Sequence, residues 1–197
     1  MEWNIAFMGP VGSGKTTAIR AVSDIDCLDT EVNHREGAPG SKPSTTVALD
    51  MGVLELGDGD RLRLQGAPGQ ERFDYMWDIL LGQARAVVVL VRAGNEAAAE
   101  LARYLGHVRA RAPALPLVVG ITHAELAPWQ LPLLAGVAAL GNCPCSACRP
   151  PVLAVDARQR GSVVALLQVV TALLEAAQQH PEPALHHWHG RRHGLAG

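Results

Sequence analysis

The sequence has few cysteines and no long apolar run. Of its 197 residues four are cysteines, and three of them lie close together at Cys143, Cys145 and Cys148. This arrangement does not indicate the disulfide framework of a secreted domain. Without about eighteen consecutive apolar residues, the sequence predicts no membrane-spanning helix. A strand-like segment begins almost at the first residue and leaves no room for a signal peptide, so we expect a soluble, cytoplasmic protein.

The sequence has no large excess of positive or negative charge, and lysine is rare. The formal net charge is −2 at neutral pH, which argues against non-specific binding of nucleic acid. Lysine and arginine together number 17, but only Lys15 and Lys42 are lysines. Because the chain otherwise uses arginine, the lysine at position 15 indicates that a compact ammonium group is needed there and not a planar guanidinium.

Lys15 belongs to a glycine-rich segment that fits the phosphate-binding pattern G-x-x-x-x-G-K-[ST]. Glycines let successive backbone N–H groups turn inward toward phosphate oxygens. In this pattern the lysine neutralises the β- and γ-phosphates, and the hydroxyl of Thr16 binds Mg²⁺. A strand-like run over residues 2–8 precedes the loop and a predicted helix over 15–22 follows it. The predicted phosphate-contacting residues are Gly9, Gly12, Ser13, Gly14, Lys15, Thr16 and Thr17.

The hydrophobic periodicity predicts an α/β fold with a mostly parallel sheet. The segment Gly57-Asp58-Gly59-Asp60 is typical of a hairpin turn, so the second and third strands should be antiparallel. We therefore expect six strands, one of them antiparallel, with helices on both faces and the ligand outside the carboxyl ends of the parallel strands. The strands are expected at residues 2–8, 46–56, 61–65, 86–92, 116–121 and 151–155, and further helices at 95–110 and 162–178.

A single nucleotide-binding domain is expected over residues 1–179. The composition changes after Gln179, where histidine, proline and glycine dominate, and residues 180–197 are predicted to be a disordered tail. The cysteine cluster offers three soft ligands, whereas structural zinc takes four. We therefore favour a loop of reduced cysteines over a metal site.

The segments that follow the phosphate loop resemble those of Ras-like small GTPases. Gly66 to Phe73 is similar to their second switch, Ile121 to Glu125 occupies the position of their base-recognition motif, and Asp156-Ala157-Arg158 follows the last strand as their final base-binding loop does. More narrowly, Thr45-Thr46-Val47-Ala48-Leu49-Asp50 and Met76-Trp77 resemble a subfamily of small bacterial ATP/GTP-binding proteins, relatives of the gliding-motility polarity GTPase.

The resemblance implies a switch that binds GTP or GDP with Mg²⁺ and hydrolyses GTP slowly. Thr46 would join Thr16 as a Mg²⁺ ligand, Gly69 would meet the γ-phosphate, and Gln70 would orient the attacking water. It also implies a protein partner at the switch loops, of the roadblock type in several relatives, with neither nucleic-acid binding nor membrane insertion. The residues that would contact the base are Thr122, His123, Glu125, Asp156, Ala157 and Arg158.

Several positions depart from the Ras-like pattern, among them Thr122 and His123, which stand where Asn and Lys are usual. Gly66 stands where an aspartate usually supports Mg²⁺, and Glu125 stands where an aspartate pairs with guanine. Val11 adds a branched side chain beside the expected position of Gln70, which predicts slow hydrolysis. These departures leave three alternatives open: a degenerate scaffold without hydrolysis, relaxed or adenine specificity, and, more weakly, a P-loop kinase.

The four large side chains at Phe73, Tyr75, Met76 and Trp77 follow the second switch segment. Half of them should pack under the sheet and the others should face solvent, where exposed aromatics suit a protein interface. A wholly buried cluster is the alternative.

Overall fold

A computed structural model describes residues 1–34, 45–139 and 149–179 of the chain. The predicted tail at 180–197 and the cluster of Cys143, Cys145 and Cys148 lie outside the described residues.

Seven strands alternate with five helices along the described chain. In order they are β1 (Glu2–Met8), α1 (Lys15–Val22), β2 (Leu28–His34), β3 (Thr45–Gly57), β4 (Asp60–Gly66), α2 (Asp74–Gln83), β5 (Ala86–Arg92), α3 (Ala97–Arg111), β6 (Leu117–Thr122), α4 (Gln130–Ala138), β7 (Val152–Val155) and α5 (Arg160–Gln179).

The strands form one sheet in the order β2-β3-β4-β1-β5-β6-β7. β3 runs antiparallel to both of its neighbours, and the other adjacent pairs are parallel. The predicted α/β class with one antiparallel strand is confirmed, and so is the hairpin at Gly57-Asp58-Gly59-Asp60. All six predicted strands are present.

The described residues add one strand and two helices that the sequence did not indicate. β2 forms the edge of the sheet and contains polar residues at most positions, so it lacks the apolar run that marked the central strands. α4 carries Pro132 in its first turn, where the missing N–H costs little, although such a proline obscures a helix in the sequence.

Apolar side chains pack on both faces of the sheet. On one face α2, α3 and α4 contribute Leu80, Leu101, Leu105 and Leu134, among others. On the other face α1 and α5 contribute a second cluster around Ile19 and Leu166. Because both faces are covered, the central parallel strands can be apolar throughout, and β5 is buried from Ala86 to Val91.

α5 is long and apolar enough to cross a membrane by length and composition alone, with a mean hydropathy of 1.5. A core helix of a soluble protein satisfies the same criterion, so this is weak evidence for a membrane. Its row of buried residues packs against the sheet, as the periodicity predicted: Val163, Leu166, Leu167, Val170 and Leu174.

Candidate functional site

The glycine-rich loop connects the carboxyl end of β1 to the first turn of α1, as predicted. Gly14 precedes α1 with a φ of 95°, a left-handed conformation that glycine adopts without a steric cost. Among the described residues, no side chain caps this helix and no acidic residue lies in its first turn. The first N–H groups of a helix have no partner within it, so this turn offers hydrogen-bond donors and a positive dipole end to an anion.

The ammonium group of Lys15 lies inside the loop. Its Nζ donates hydrogen bonds to the carbonyl oxygens of Gly9 and Pro10, each at 2.7 Å, and approaches the Ser13 hydroxyl at 3.4 Å. The side chain is only 7% exposed, and this burial lowers the pKa of Lys15 to about 8, against the opposing influence of Asp50 and then Glu100. Polyphosphate would supply the negative charge that this buried cation lacks.

Thr16 meets the carboxylate of Asp50 on the opposite side of the loop. Its hydroxyl donates a hydrogen bond to Asp50 Oδ2. No group of three or more metal-ligating side chains occurs in the described part of the chain. One hydroxyl beside one carboxylate nevertheless fits Mg²⁺, which is commonly held by one or two protein oxygens, phosphates and water.

The predicted base-binding loops converge on Gly14. A Cβ at Gly14 would lie 3.1 Å from Ala157 Cβ and 3.4 Å from Thr122 Cγ2. Thr122 is 1% exposed, and its hydroxyl donates to the backbone oxygen of Ser13 at 3.1 Å. Thr122 thus ties the end of β6 to the phosphate loop, and the sheet brings segments more than one hundred residues apart into one site.

In the base loops Glu125 and Arg158 are exposed, Asp156 is partly exposed, and Asp156 and Arg158 are paired with each other. Asp156 accepts hydrogen bonds from the Arg158 backbone and guanidinium and from Gln159. The Arg158 hydrogen bonds hold the pKa of Asp156 well below its usual value. The hydrogen bonds and charge of Asp156 raise the pKa of Arg158, and the charge of the exposed Glu125 adds to this effect. His123, two residues before Glu125, has a left-handed φ of 55°.

The second switch segment packs against the phosphate loop through Gly69. A Cβ at this residue would lie 2.4 Å from the backbone nitrogen of Val11, so only glycine fits the approach. Two buried aromatic side chains hydrogen-bond to the backbone of this segment. The Tyr104 hydroxyl donates to Gly69 O at 3.2 Å, and the Trp77 indole donates to Pro68 O at 2.8 Å. Gln70, next to Gly69, is exposed.

The aromatic cluster after the switch is divided as predicted. Met76 and Trp77 are buried, whereas Tyr75 is 38% exposed and Phe73 is partly buried. Arg72 lies over the Phe73 ring at 4.7 Å from its centroid.

Thr46 lies on β3, in the ladder with β2 and opposite Asn33. Its backbone is four residues before Asp50, about 13 Å along the strand at about 3.3 Å per residue. A magnesium role for Thr46 stays a prediction.

Sequence reasoning missed several residues that shape the site. Asp50 was part of the Thr45–Asp50 segment but received no role, Trp77 was considered only as a core or interface residue, and Tyr104 was not singled out. Their contacts with Thr16, Gly69 and Pro68 join different elements. The sequence contains no periodic signal for such contacts.

Solved structures share this architecture. The G domain of the FeoB iron transporter of T. maritima superimposes with a TM-score of 0.60 at 16% identity, covering 88% of this chain and 99% of that one. A variant of S. thermophilus NFeoB bound to GDP gives a TM-score of 0.57 at 18% identity, covering 85% of this chain and 61% of that one.

The chain has the fold of a P-loop GTPase G domain. At these identities the likeness establishes the fold alone, and it agrees with the position of the glycine-rich loop. No family model and no curated protein matches the sequence, so the narrower resemblance to Ras-like bacterial switches stays a prediction.

Proposed function

We propose that this G-domain protein binds guanine nucleotide with Mg²⁺, hydrolyses GTP slowly and signals to a cytoplasmic protein partner through its switch loops. The observation that carries the proposal is the buried ammonium of Lys15, enclosed by a loop whose helix begins without a side-chain cap among the described residues. Burial makes the charge of Lys15 costly despite the nearby Asp50 and Glu100, so a phosphate beside it would be favourable, and the first turn of α1 suits that phosphate.

Magnesium fits the hydroxyl of Thr16 beside Asp50. When bound, the ion would neutralise charge on the β- and γ-phosphates. The chain's own contribution is to hold the phosphates with Lys15 and with the first N–H groups of α1.

The base end supports guanine over adenine through Glu125. A carboxylate only accepts hydrogen bonds, and the Watson–Crick edge of guanine offers two adjacent donor groups. Glu125 is exposed at the end of the site formed by β6 and the loop after β7, and the FeoB relative with this fold was solved with GDP. Relaxed purine specificity is the alternative within this proposal.

Slow hydrolysis follows from the placement of Gln70 and Val11. Gln70 is exposed next to Gly69, where its amide can both accept from and donate to a water. Val11 is also exposed, at 68%, and its backbone lies against Gly69; we infer from this position that its branched side chain limits the room for an ordered water beside Gln70. We expect a partner to complete the catalytic arrangement.

We expect a partner to contact α2 as well as the switch segment that precedes it. Tyr75 and Ile79 are 38% and 57% exposed on α2, which follows directly after the residues that contact the phosphate loop. A roadblock-type regulator is the partner class that we propose from the family resemblance.

The test identifies the nucleotide that co-purifies with the full-length protein. Mass spectrometry of heat-released ligand should find GDP or GTP with the wild type and none with Lys15→Ala. Lys42→Ala, at the other lysine of the chain, is the control and should retain the nucleotide. Abundant adenine nucleotide would overturn the base assignment, and equal guanine retention by Lys15→Ala would overturn the binding site.

A degenerate scaffold is the second candidate, because the loop's own backbone provides hydrogen-bond acceptors for Lys15 at Gly9 and Pro10. Phosphate release under single-turnover conditions separates the two. GTP cleavage that is slow in the wild type and lost in Gln70→Ala supports the switch, whereas binding without cleavage, even with partner added, supports the scaffold.

A further inference from the structure

The second switch segment begins without the acidic residue that its position in the G-domain fold calls for. β4 ends at Gly66, on the strand next to β1 and the phosphate loop. A glycine offers no oxygen side chain to a metal, so magnesium support must come from another element if the ion binds here.

The register of the β3–β4 hairpin places an acid directly beside this glycine. Asp50 on β3 is the cross-strand partner of Gly66. A Cβ at Gly66 would lie 3.1 Å from both Asp50 Cβ and Asp50 Oδ2. The carboxylate of Asp50 thus fills the space into which a side chain at position 66 would extend.

The Asp50 carboxylate also reaches the hydroxyl at the start of α1. Thr16 Oγ1 donates its proton to Asp50 Oδ2. A hydroxyl has one proton and two lone pairs, so donating to Asp50 leaves the lone pairs of Thr16 free for a cation. The negative charge of Asp50 also acts on Lys15, which places it within electrostatic range of the phosphate-binding groups.

We infer that Asp50 supports Mg²⁺ in this protein, with the supporting acid moved from the end of β4 to the neighbouring strand β3. Asp50 orients the hydroxyl of Thr16 toward the ion and adds a negative charge beside it. Outer partners of this kind commonly change metal affinity by about 10- to 100-fold. The inference rests on the proposed nucleotide site, and it supplies from β3 the acid that Gly66 does not provide at the end of β4.

Two variants test this assignment without relying on hydrolysis. Asp50→Asn keeps the shape and removes the charge. The transposed variant combines Asp50→Gly with Gly66→Asp and so returns the acid to β4. It removes the two Asp50 atoms that a Cβ at position 66 would contact. The remaining close atom, Ile19 Cδ1, is the end of a flexible side chain that can move aside. Glu55→Gln changes an exposed acid on the same strand and is the charge control.

The measurement is Mn²⁺ affinity of each protein loaded with GDP, read from the free-ion signal in electron paramagnetic resonance, with GDP affinity in EDTA measured separately. Asp50→Asn should lose about 10- to 100-fold in Mn²⁺ affinity while binding GDP in EDTA at least as well as wild type. The transposed variant should recover most of the loss, and Glu55→Gln should match wild type.

Failure of the assignment differs from failure of the proposed function. GDP binding by wild type together with unchanged Mn²⁺ affinity in Asp50→Asn overturns the role of Asp50 alone. A transposed variant that folds, binds GDP and shows no better Mn²⁺ affinity than Asp50→Asn also overturns it. A wild type that binds no GDP with or without metal overturns both proposals.

Discussion

The phosphate end and the base end of the site are built differently. At the phosphate end a buried lysine lies inside a tight loop, and the first N–H groups of the helix that follows have no partner within that helix and no side-chain cap from the residues that the structure describes. At the base end Glu125 and Arg158 are exposed and Asp156 is partly exposed, and Asp156 and Arg158 form an ion pair. Electrostatic interactions are strong where water is excluded and weak where it is not. We therefore expect most of the binding free energy from the phosphates and only modest discrimination between bases.

Removing the buried charge should have the largest effect. Lys15→Met should weaken GDP and ADP alike by about 100-fold or more, because charged hydrogen bonds to phosphate are lost. The same variant should raise the free energy of unfolding of the ligand-free protein by about 1 kcal/mol, since a buried cation is replaced by an apolar side chain of similar length.

Isothermal titration calorimetry and denaturant unfolding of the apo-protein measure these two changes, with Lys42→Met as control. A variant that loses stability and affinity together would show that Lys15 mainly holds the loop structure. A variant that weakens GDP much more than ADP would contradict the assignment of affinity to the phosphate end.

The phosphate end is also the part that the sequence predicts well. Its residues are contiguous, so a local pattern contains the strand, the loop and the helix start together, and the confirmed elements β1 and α1 begin and end where predicted. The buried runs of β5 and β6 were similarly visible as continuous apolar segments.

The neighbourhood of Asp50 could not be predicted in this way, because it depends on an irregularity in the hairpin. Gly57 pairs with Asp60, and continuing that register back along β3 would place Asp50 opposite Ala67. The structure has a register shift between Glu55 and Gly57 that places Asp50 opposite Gly66 instead. One residue of shift exchanges the two faces of a strand, and nothing in the local sequence fixes it.

Raising the pH tests the phosphate end through the charge of Lys15. The pKa of this lysine is about 8 without ligand, and bound phosphates should raise it. At pH values below about 8, Lys15 is protonated in both the free and the nucleotide-bound protein, so the GDP affinity should not depend on its titration. Above that value it should fall by up to tenfold per pH unit until the pKa of the bound state is reached.

Calorimetry of GDP binding in two buffers of different ionisation heat, between pH 7 and 10, would detect the matching proton uptake. The ligand-free protein should show the opposite trend in stability. The unfolded chain, with an ordinary lysine pKa of 10.5, holds more protons between about 8 and 10.5, so stability gains from this group as pH rises through that window. A flat affinity profile with no proton uptake would mean that Lys15 does not meet the phosphates.

Removing Glu125 tests the base end. Glu125→Ala should weaken GDP about tenfold and leave ADP unchanged, because an exposed paired hydrogen bond to guanine contributes about 1–2 kcal/mol. Arg158→Ala should strengthen GDP slightly, since the guanidinium no longer competes for Glu125 and Asp156.

Competition of GDP and of ADP against a fluorescent nucleotide measures the ratio of the two affinities directly. Glu175→Ala is the control, because Glu175 is an exposed acid near the far end of α5. A drop in selectivity of more than about a thousandfold would indicate a desolvated base site and would break the contrast between the two ends.

The smallest expected effect concerns the residue that joins the two ends. Thr122→Val removes the buried hydroxyl that donates to Ser13 O, leaving that oxygen with one partner fewer. The free energy of unfolding should fall by about 1 kcal/mol, and GDP and ADP should both weaken a few-fold, because the Thr122 hydroxyl positions the phosphate loop through Ser13.

Thr171→Val is the matched control, since the Thr171 hydroxyl donates to Gln168 O within the exposed side of α5 and its loss should change stability little. Denaturant unfolding of both variants and titrations with both diphosphates measure the outcome. If Thr122→Val changed the ratio of GDP affinity to ADP affinity and left stability unaltered, Thr122 would contact the base. It would then belong to the base end of the site and not to the phosphate end.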